Sequence, residues 1–217
     1  MAEAVRRRTR GPYAKSAATR ERILDACEAV LGEAGYHAAT VRDIADRAGI
    51  SERGLVHHFP GRDELLRAVL ERHEEQARVA STPAPGLEAL LHLVERVAQD
   101  SRTPGIVELH TTLSAEASSV HHPAHEHYVE RYDQIRRYAT SSFVALDAAG
   151  EIDSTLTPDE LAAAYVAMSD GLQLQWLYRP GAVDPADTLQ RFLQSVVPRL
   201  REGHPSFVVA GNVPSSG

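Results

Sequence analysis

The sequence predicts an all-α protein in two parts, on three observations. Ala and Leu are abundant and β-branched runs are scarce, a balance that favours helix over sheet. Apolar residues recur at helical spacing in one segment after another, and no segment alternates with the period of two that a half-buried strand needs. Pro and Gly punctuate the gaps between those segments.

Residues 1–18 are polar and basic and read as a disordered arm. A first helix follows from Thr19, with Ile23, Cys27, Val30, Leu31 and Ala34 on one stripe that ends at Gly35. A second begins at Thr40, where Thr40 and Asp43 have the spacing of a reciprocal capping box. Val41, Ile44, Ala45 and Ala48 form its buried face, and Gly49 supplies a left-handed stop. Ser51 caps a short third helix through about His58, broken by Pro60-Gly61, and Asp63 opens a fourth that runs to about Ala80. The stretch from Ser81 to Gly86 is a hinge loop. Further helices are expected over 87–100, 104–118, 123–148, 158–178 and 185–201, and the Gly, Pro and Ser of 203–217 make a flexible tail.

Composition narrows the class. The 217 residues are 43% hydrophobic, enough for a core, and the single cysteine, Cys27, excludes a disulfide framework or a Cys-rich metal site and suits a reducing cytosol. The absence of any apolar run near the ~20 residues of a membrane span, and of an apolar run behind the N-terminal arginines, predicts a cytoplasmic protein with no membrane partner. The net charge is −7, but residues 1–66 carry +1 and the remainder −8, with seven Lys/Arg against two carboxylates in residues 1–22. An acidic body with a basic tip can present positive potential to one partner. A Gly-rich phosphate loop, a nucleophile elbow and a paired-ligand metal motif are all lacking, so neither an enzyme nor a cofactor is expected.

Two short helices joined by a tight Gly turn, Thr40 to Phe59, have helix-turn-helix spacing. Ala45 and Ala48 are small where the helices cross, and Ile44, Ile50 and Leu55 fill the core beneath. Glu52, Arg53, Gly54, Val56 and His57 are left to share the outer surface of the second helix. A reading helix enters the major groove with its N-terminal residues at base edges, and Ser51 at its cap leaves N–H groups free for a phosphate.

Residues 19–66 resemble the DNA-binding domain of the tetracycline-repressor (TetR) family. Gly35-Tyr36, Thr40 through Ala45, Ala48 through Ser51, and His58-Phe59-Pro60 followed by Arg62 and Leu65 fall in register. The resemblance implies that Thr40, His58 and Arg62 hold phosphates, that Arg42 can reach a base, and that Arg53 and Gly54 face bases. His57 would touch either backbone or a thymine methyl. The chain departs from the family's common pattern in carrying Val56 for Tyr, Gly54 for Thr and Arg62 for Lys.

The resemblance also implies that residues 67–202 form a helical ligand-binding and dimerisation domain. Asp170 to Leu177 is similar to a late helix of many members. In 158–178, Leu161, Tyr165, Met168 and Leu172 make one stripe while Val166, Leu174 and Leu177 lie off it, so this helix needs two burial partners. In 185–201, Leu189, Phe192, Leu193, Val196, Val197 and Leu200 form a broad apolar face with Pro198 near its end. A homodimer through these two helices is the expectation, against a single larger monomeric core. Polar atoms on otherwise buried faces mark His110, Glu116, Tyr132, Tyr165, Gln173 and Trp176 as candidate contacts for a small-molecule effector. His121 and His125 are four apart, but Pro123 places His121 ahead of the helix, so the run reads as an exposed helix start and no metal site is expected. The expected function is a DNA-binding transcriptional regulator, a repressor released from a palindromic operator by a small molecule. The alternative is a helical ligand-binding or interaction module without sequence-specific DNA binding.

Overall fold

A computed structural model describes residues 12–79 and 83–202; the tail expected over 203–217 lies outside the described residues, as do 1–11. Among the described residues the protein is all-α: α1 (Pro12–Ala38), α2 (Val41–Ala48), α3 (Glu52–His58), α4 (Arg62–Val79), α5 (Leu87–Asp100), α6 (Pro104–Glu116), α7 (His125–Ala148), α8 (Pro158–Tyr178) and α9 (Pro185–Val196), then a 3₁₀ turn (Pro198–Glu202).

The helix boundaries follow local chemistry, with instructive departures. The first helix starts at Pro12, seven residues before the expected Thr19. Pro at a first helical position leaves no orphan N–H unsatisfied, and Ala14, Lys15, Ala17 and Ala18 are good helix formers. Part of the expected arm is therefore helix. Gly35 breaks the helical geometry at φ 79, ψ 172, as its place at the end of the stripe requires. Gly49 takes φ 67, ψ 39, and its N–H returns to the carbonyls of Ala45 and Asp46. The Thr40–Asp43 box is only half formed: Thr40 Oγ1 accepts from the Asp43 N–H, but the Asp43 carboxylate takes the Thr40 hydroxyl instead of its backbone N–H. At Thr157–Glu160, where the carboxylate has one more methylene, both reciprocal bonds form. Pro198 ends α9 at Val196 and starts the 3₁₀ turn.

The chain forms two compact units, residues 1–81 with 100–129, and residues 82–99 with 130–217. In the first, Ile23, Cys27, Leu31, Ile44, Leu55, Phe59, Leu65, Leu66 and Val69 are buried, whereas Ala34, expected on the α1 stripe, is exposed and Val41 and Ile50 are half-buried. Arg72 on α4 reaches Glu21 at 3.4 Å, Asp25 at 2.7 Å and Glu28 at 2.8 Å on α1. The unit also takes in α6, which the sequence had placed with the C-terminal body. The reason is close backbone approach: a Cβ on Gly105 would lie 2.6 Å from the Leu31 carbonyl oxygen, so only glycine lets α6 lie this near α1. In the second unit α5, α7, α8 and α9 share one core, with Leu90, Val94, Phe143, Leu161, Tyr165, Leu189 and Leu193 at its centre.

Candidate nucleic-acid interface

The reading helix α3 is built by its two ends. Ser51 Oγ accepts the Gly54 N–H at 3.1 Å, setting the N-terminal turn. Leu55 and Phe59 are buried and anchor the inner face. What remains outside is Glu52, Arg53, Val56 and His57, all exposed, with Gly54 and His58 half-buried. Arg53 extends into solvent, and Val56 presents an apolar side chain 46% exposed.

A residue the sequence pattern did not single out fixes the far end of this helix. The Arg20 guanidinium donates from Nη1 to the His58 carbonyl at 2.7 Å and lies 4.0 Å over the Phe59 ring. It thereby satisfies an orphan carbonyl of α3 and couples α1 to it. Its signal in the sequence was a cation near the start of the predicted helix, which looks the same as any solvated Arg.

The other predicted contact residues surround α3. Thr40 is exposed at the cap of α2, its hydroxyl engaged by Asp43. Arg42 is exposed beside it, with Asp46 4.0 Å away. Arg62 opens α4 and is held: Nη2 donates to the Tyr36 carbonyl, Nε lies 3.5 Å from the Ala39 carbonyl, and the guanidinium stands 4.5 Å over the Tyr36 ring. Thr40 and Arg62 are thus both held by the protein's own hydrogen bonds.

Tyr36 is in turn fixed by α6. Its N–H donates to Glu108 Oε2 at 3.0 Å and its hydroxyl to Glu116 Oε2 at 2.9 Å. Burial and the Glu116 carboxylate both push the Tyr36 hydroxyl pKa up. Glu116, a predicted effector contact, is therefore engaged by the residue that anchors Arg62.

The remaining predicted effector residues are divided. His110 stands in the first unit, its Nδ1 3.2 Å from the Tyr128 hydroxyl. Tyr132, Tyr165, Gln173 and Trp176 stand in the second, where the Tyr132 hydroxyl donates to Asp170 at 2.8 Å. Tyr165 and Gln173 are buried and Trp176 is half-buried. Among the described residues no three His, Cys, Asp or Glu side chains gather as metal ligands, and His125 instead donates from Nδ1 to the Ala117 carbonyl at 2.8 Å. Among them, too, no helix is long and apolar enough to cross a membrane.

This arrangement has known counterparts. Residues 23–69 match the profile of bacterial regulatory proteins, tetR family, and residues 83–201 match the C-terminal profile of BetI-type transcriptional repressors. The transcriptional regulator TtgR of Pseudomonas putida is 26% identical over 204 residues, covering 84% of this chain and 91% of that protein. The transcriptional repressor KstR2 of Rhodococcus jostii is 27% identical over 185 residues, covering 82% and 88%. A transcriptional regulator from Saccharomonospora viridis, solved in complex with choline, superposes with a TM-score of 0.70 over 83% of this chain and 98% of that one, at 23% identity. With its helix-turn-helix exposed as described and both profiles matched in order, the chain belongs to the TetR family of DNA-binding transcriptional regulators.

Proposed function

We propose that this protein is a cytoplasmic repressor that holds a palindromic operator as a homodimer and lets go when a small molecule binds its C-terminal helices. The observation that carries the DNA-reading half is the outward row of Arg53, Val56 and His57 on α3, flanked by a positioned Arg62 and Thr40. Arg53 is the candidate for base recognition, because its fork can meet guanine O6 and N7 together. Arg42, Ser51, Gly54, His57 and His58 complete the surface, with Thr40, His58 and Arg62 assigned to the phosphates.

Members of the family form dimers, and α8 supports a dimer here. Ala167, Leu174 and Tyr178 are exposed at i, i+7 and i+11, with Gly171 between them, while the opposite face carries the buried Leu161, Tyr165 and Leu172. An exposed row of small and apolar residues on a core helix is what a self-complementary helix pair needs. Of the apolar residues that lie off the first stripe, Val166 is buried, Leu177 half-buried and Leu174 exposed.

For release, α6 supplies a route alongside α4. Glu108 and Glu116 on α6 hold Tyr36, and Tyr36 holds Arg62. A shift of α6 would therefore disturb a phosphate contact without touching α3. A ~100-fold release requires a coupling of about 2.7 kcal/mol.

Selection of DNA fragments by the purified protein, followed by footprinting, tests the first half: two related half-sites are expected. An asymmetric site held by one chain, or no retained duplex, overturns the reading in favour of a ligand-binding module without sequence-specific DNA binding. For an effector found in a later screen, operator must weaken its binding by the factor it weakens operator binding. Equal effector affinity with and without operator overturns the release mechanism.

A further inference from the structure

Among the described residues five buried side-chain atoms have no hydrogen-bond partner: Glu28 Oε1, Arg72 Nε, His127 Nε2, Glu151 Oε2 and the Tyr165 hydroxyl. Four of them belong to groups with charged company. Glu28 and Arg72 pair with each other at 2.8 Å, Glu151 pairs with Arg199 at 3.0 Å, and His127 lies within 4 Å of Glu71 and Glu74. Tyr165 has none. The contrast with the other buried and half-buried tyrosines of the helical body is direct: Tyr128 donates to the His110 carbonyl, Tyr132 to Asp170 and Tyr138 to the Pro83 carbonyl.

An unpaired buried hydroxyl is costly. Tyr165 is 1% exposed, inside an apolar cluster of Phe143, Leu161, Leu172, Leu189 and their neighbours. Phenylalanine would fill the same volume without the penalty. The helix repeat puts Gln173, eight residues on and 7% exposed, and Trp176, eleven on, on the Tyr165 side of α8. A hydroxyl kept at a cost to stability, on a face with a second buried polar side chain, is what a site that must recognise something polar looks like.

We infer that the Tyr165 hydroxyl is the polar contact for an uncharged, mostly apolar effector that carries one hydrogen-bonding oxygen. This rests on the effector-responsive reading above and narrows it. An anion would have to leave water for an apolar wall of Leu and Phe, at a desolvation cost that such side chains cannot return. A pure hydrocarbon would fit the wall and leave the hydroxyl unpaired. An oxygen aimed at Tyr165 removes that penalty while the rest of the molecule meets Leu and Phe. Burial also pushes the hydroxyl's pKa up, so it stays neutral and can donate across the accessible pH range.

The test uses the full-length protein, wild type and Tyr165→Phe, with three matched probes: 4-butylphenol, butylbenzene and 4-butylbenzoate. Without probe, Tyr165→Phe is expected to melt at or above wild type, by up to about 4 °C for the loss of one unpaired hydroxyl. Wild type should bind 4-butylphenol about tenfold tighter than butylbenzene and show no binding of the benzoate, and Tyr165→Phe should bind the phenol and the hydrocarbon alike. A Tyr165→Phe protein that melts below wild type shows a hydroxyl already satisfied and overturns the inference. So does absent phenol binding, equal binding of phenol and hydrocarbon by wild type, or tighter binding of the benzoate. The titrations contain no DNA, so they fail or succeed separately from operator binding. A protein that prefers the phenol through Tyr165 yet retains no duplex keeps the site and loses the regulator reading.

Discussion

Replacing Gly105 by Ala adds one methyl group where α6 meets α1. The new Cβ would lie 2.6 Å from the Leu31 carbonyl oxygen, 2.7 Å from its carbon and 3.0 Å from the Gly32 nitrogen. All three are backbone atoms, so no side chain can swing aside. Non-bonded heavy atoms settle at roughly 3.5–4.0 Å, and the helices must part by about 1 Å. Overpacking of this kind costs ~1–3 kcal/mol, while Ala in a helix returns at most ~1 kcal/mol over Gly, less in the first turn where Gly105 sits. The net loss is about 1–2 kcal/mol, a fall in Tm of roughly 2–8 °C for a chain of this size. Gly32→Ala is the control: it lies in α1 opposite the same contact, is exposed, and has nothing within 4 Å of its would-be Cβ. It should gain up to ~1 kcal/mol. Melting curves at one fixed protein concentration decide it, since a dimer's Tm shifts with concentration. Because α6 holds Tyr36 and Tyr36 holds Arg62, Gly105→Ala should also weaken operator binding, and Gly32→Ala should not. A Gly105→Ala protein as stable as wild type would refute the close-approach reasoning.

Arg53→Ala and Arg62→Ala should fail differently. Arg53→Ala changes base preference by ~1–3 kcal/mol at one position and leaves Tm unchanged, whereas Arg62→Ala weakens all sequences, lowers the salt slope by about one unit per half-site and also lowers Tm, because it frees the Tyr36 carbonyl. Salt titrations on matched and altered operators, with melting curves, separate the two, and identical profiles would show the assignment is wrong. Ala167→Glu, placing a charge in the exposed row of α8, should turn the dimer into monomer by sedimentation; an unchanged dimer puts the interface elsewhere. The Cys27 thiol is raised by burial from 9.0 to about 12. It should resist iodoacetamide at pH 8 until the protein unfolds. The folded value lies above the unfolded one, so its contribution to stability is intact below pH 9 and is lost as pH rises from 9 towards 12. Rapid labelling of folded protein would contradict the burial.

The sequence alone determined the helices and the helix-turn-helix, because those depend on neighbours a few residues away. The Pro and Gly breakers predicted α5 and α8 with the bounds the structure shows, and Gly49 announced its left-handed stop. Local chemistry misled where two local signals compete. The basic run before Thr19 suggested disorder, yet Pro12 and the following alanines start α1 early. Asp43 has the spacing of a capping box, yet its side chain is a methylene too short for the return bond that Glu160 makes. What only the tertiary structure decided is which distant groups meet. The periodicity of α6 says that it has an apolar face but not that Gly105 will bring it against Leu31, nor that Glu116 will be taken up by Tyr36. Likewise Arg20, Arg53 and Arg62 are chemically alike in the sequence, but folding spends Arg20 on the His58 carbonyl, anchors Arg62 on Tyr36 and leaves Arg53 in solvent. Hydrogen bonds and close backbone contacts act over about 3 Å between residues tens of positions apart, and a pattern with a period of 3.6 residues carries no information about such partners.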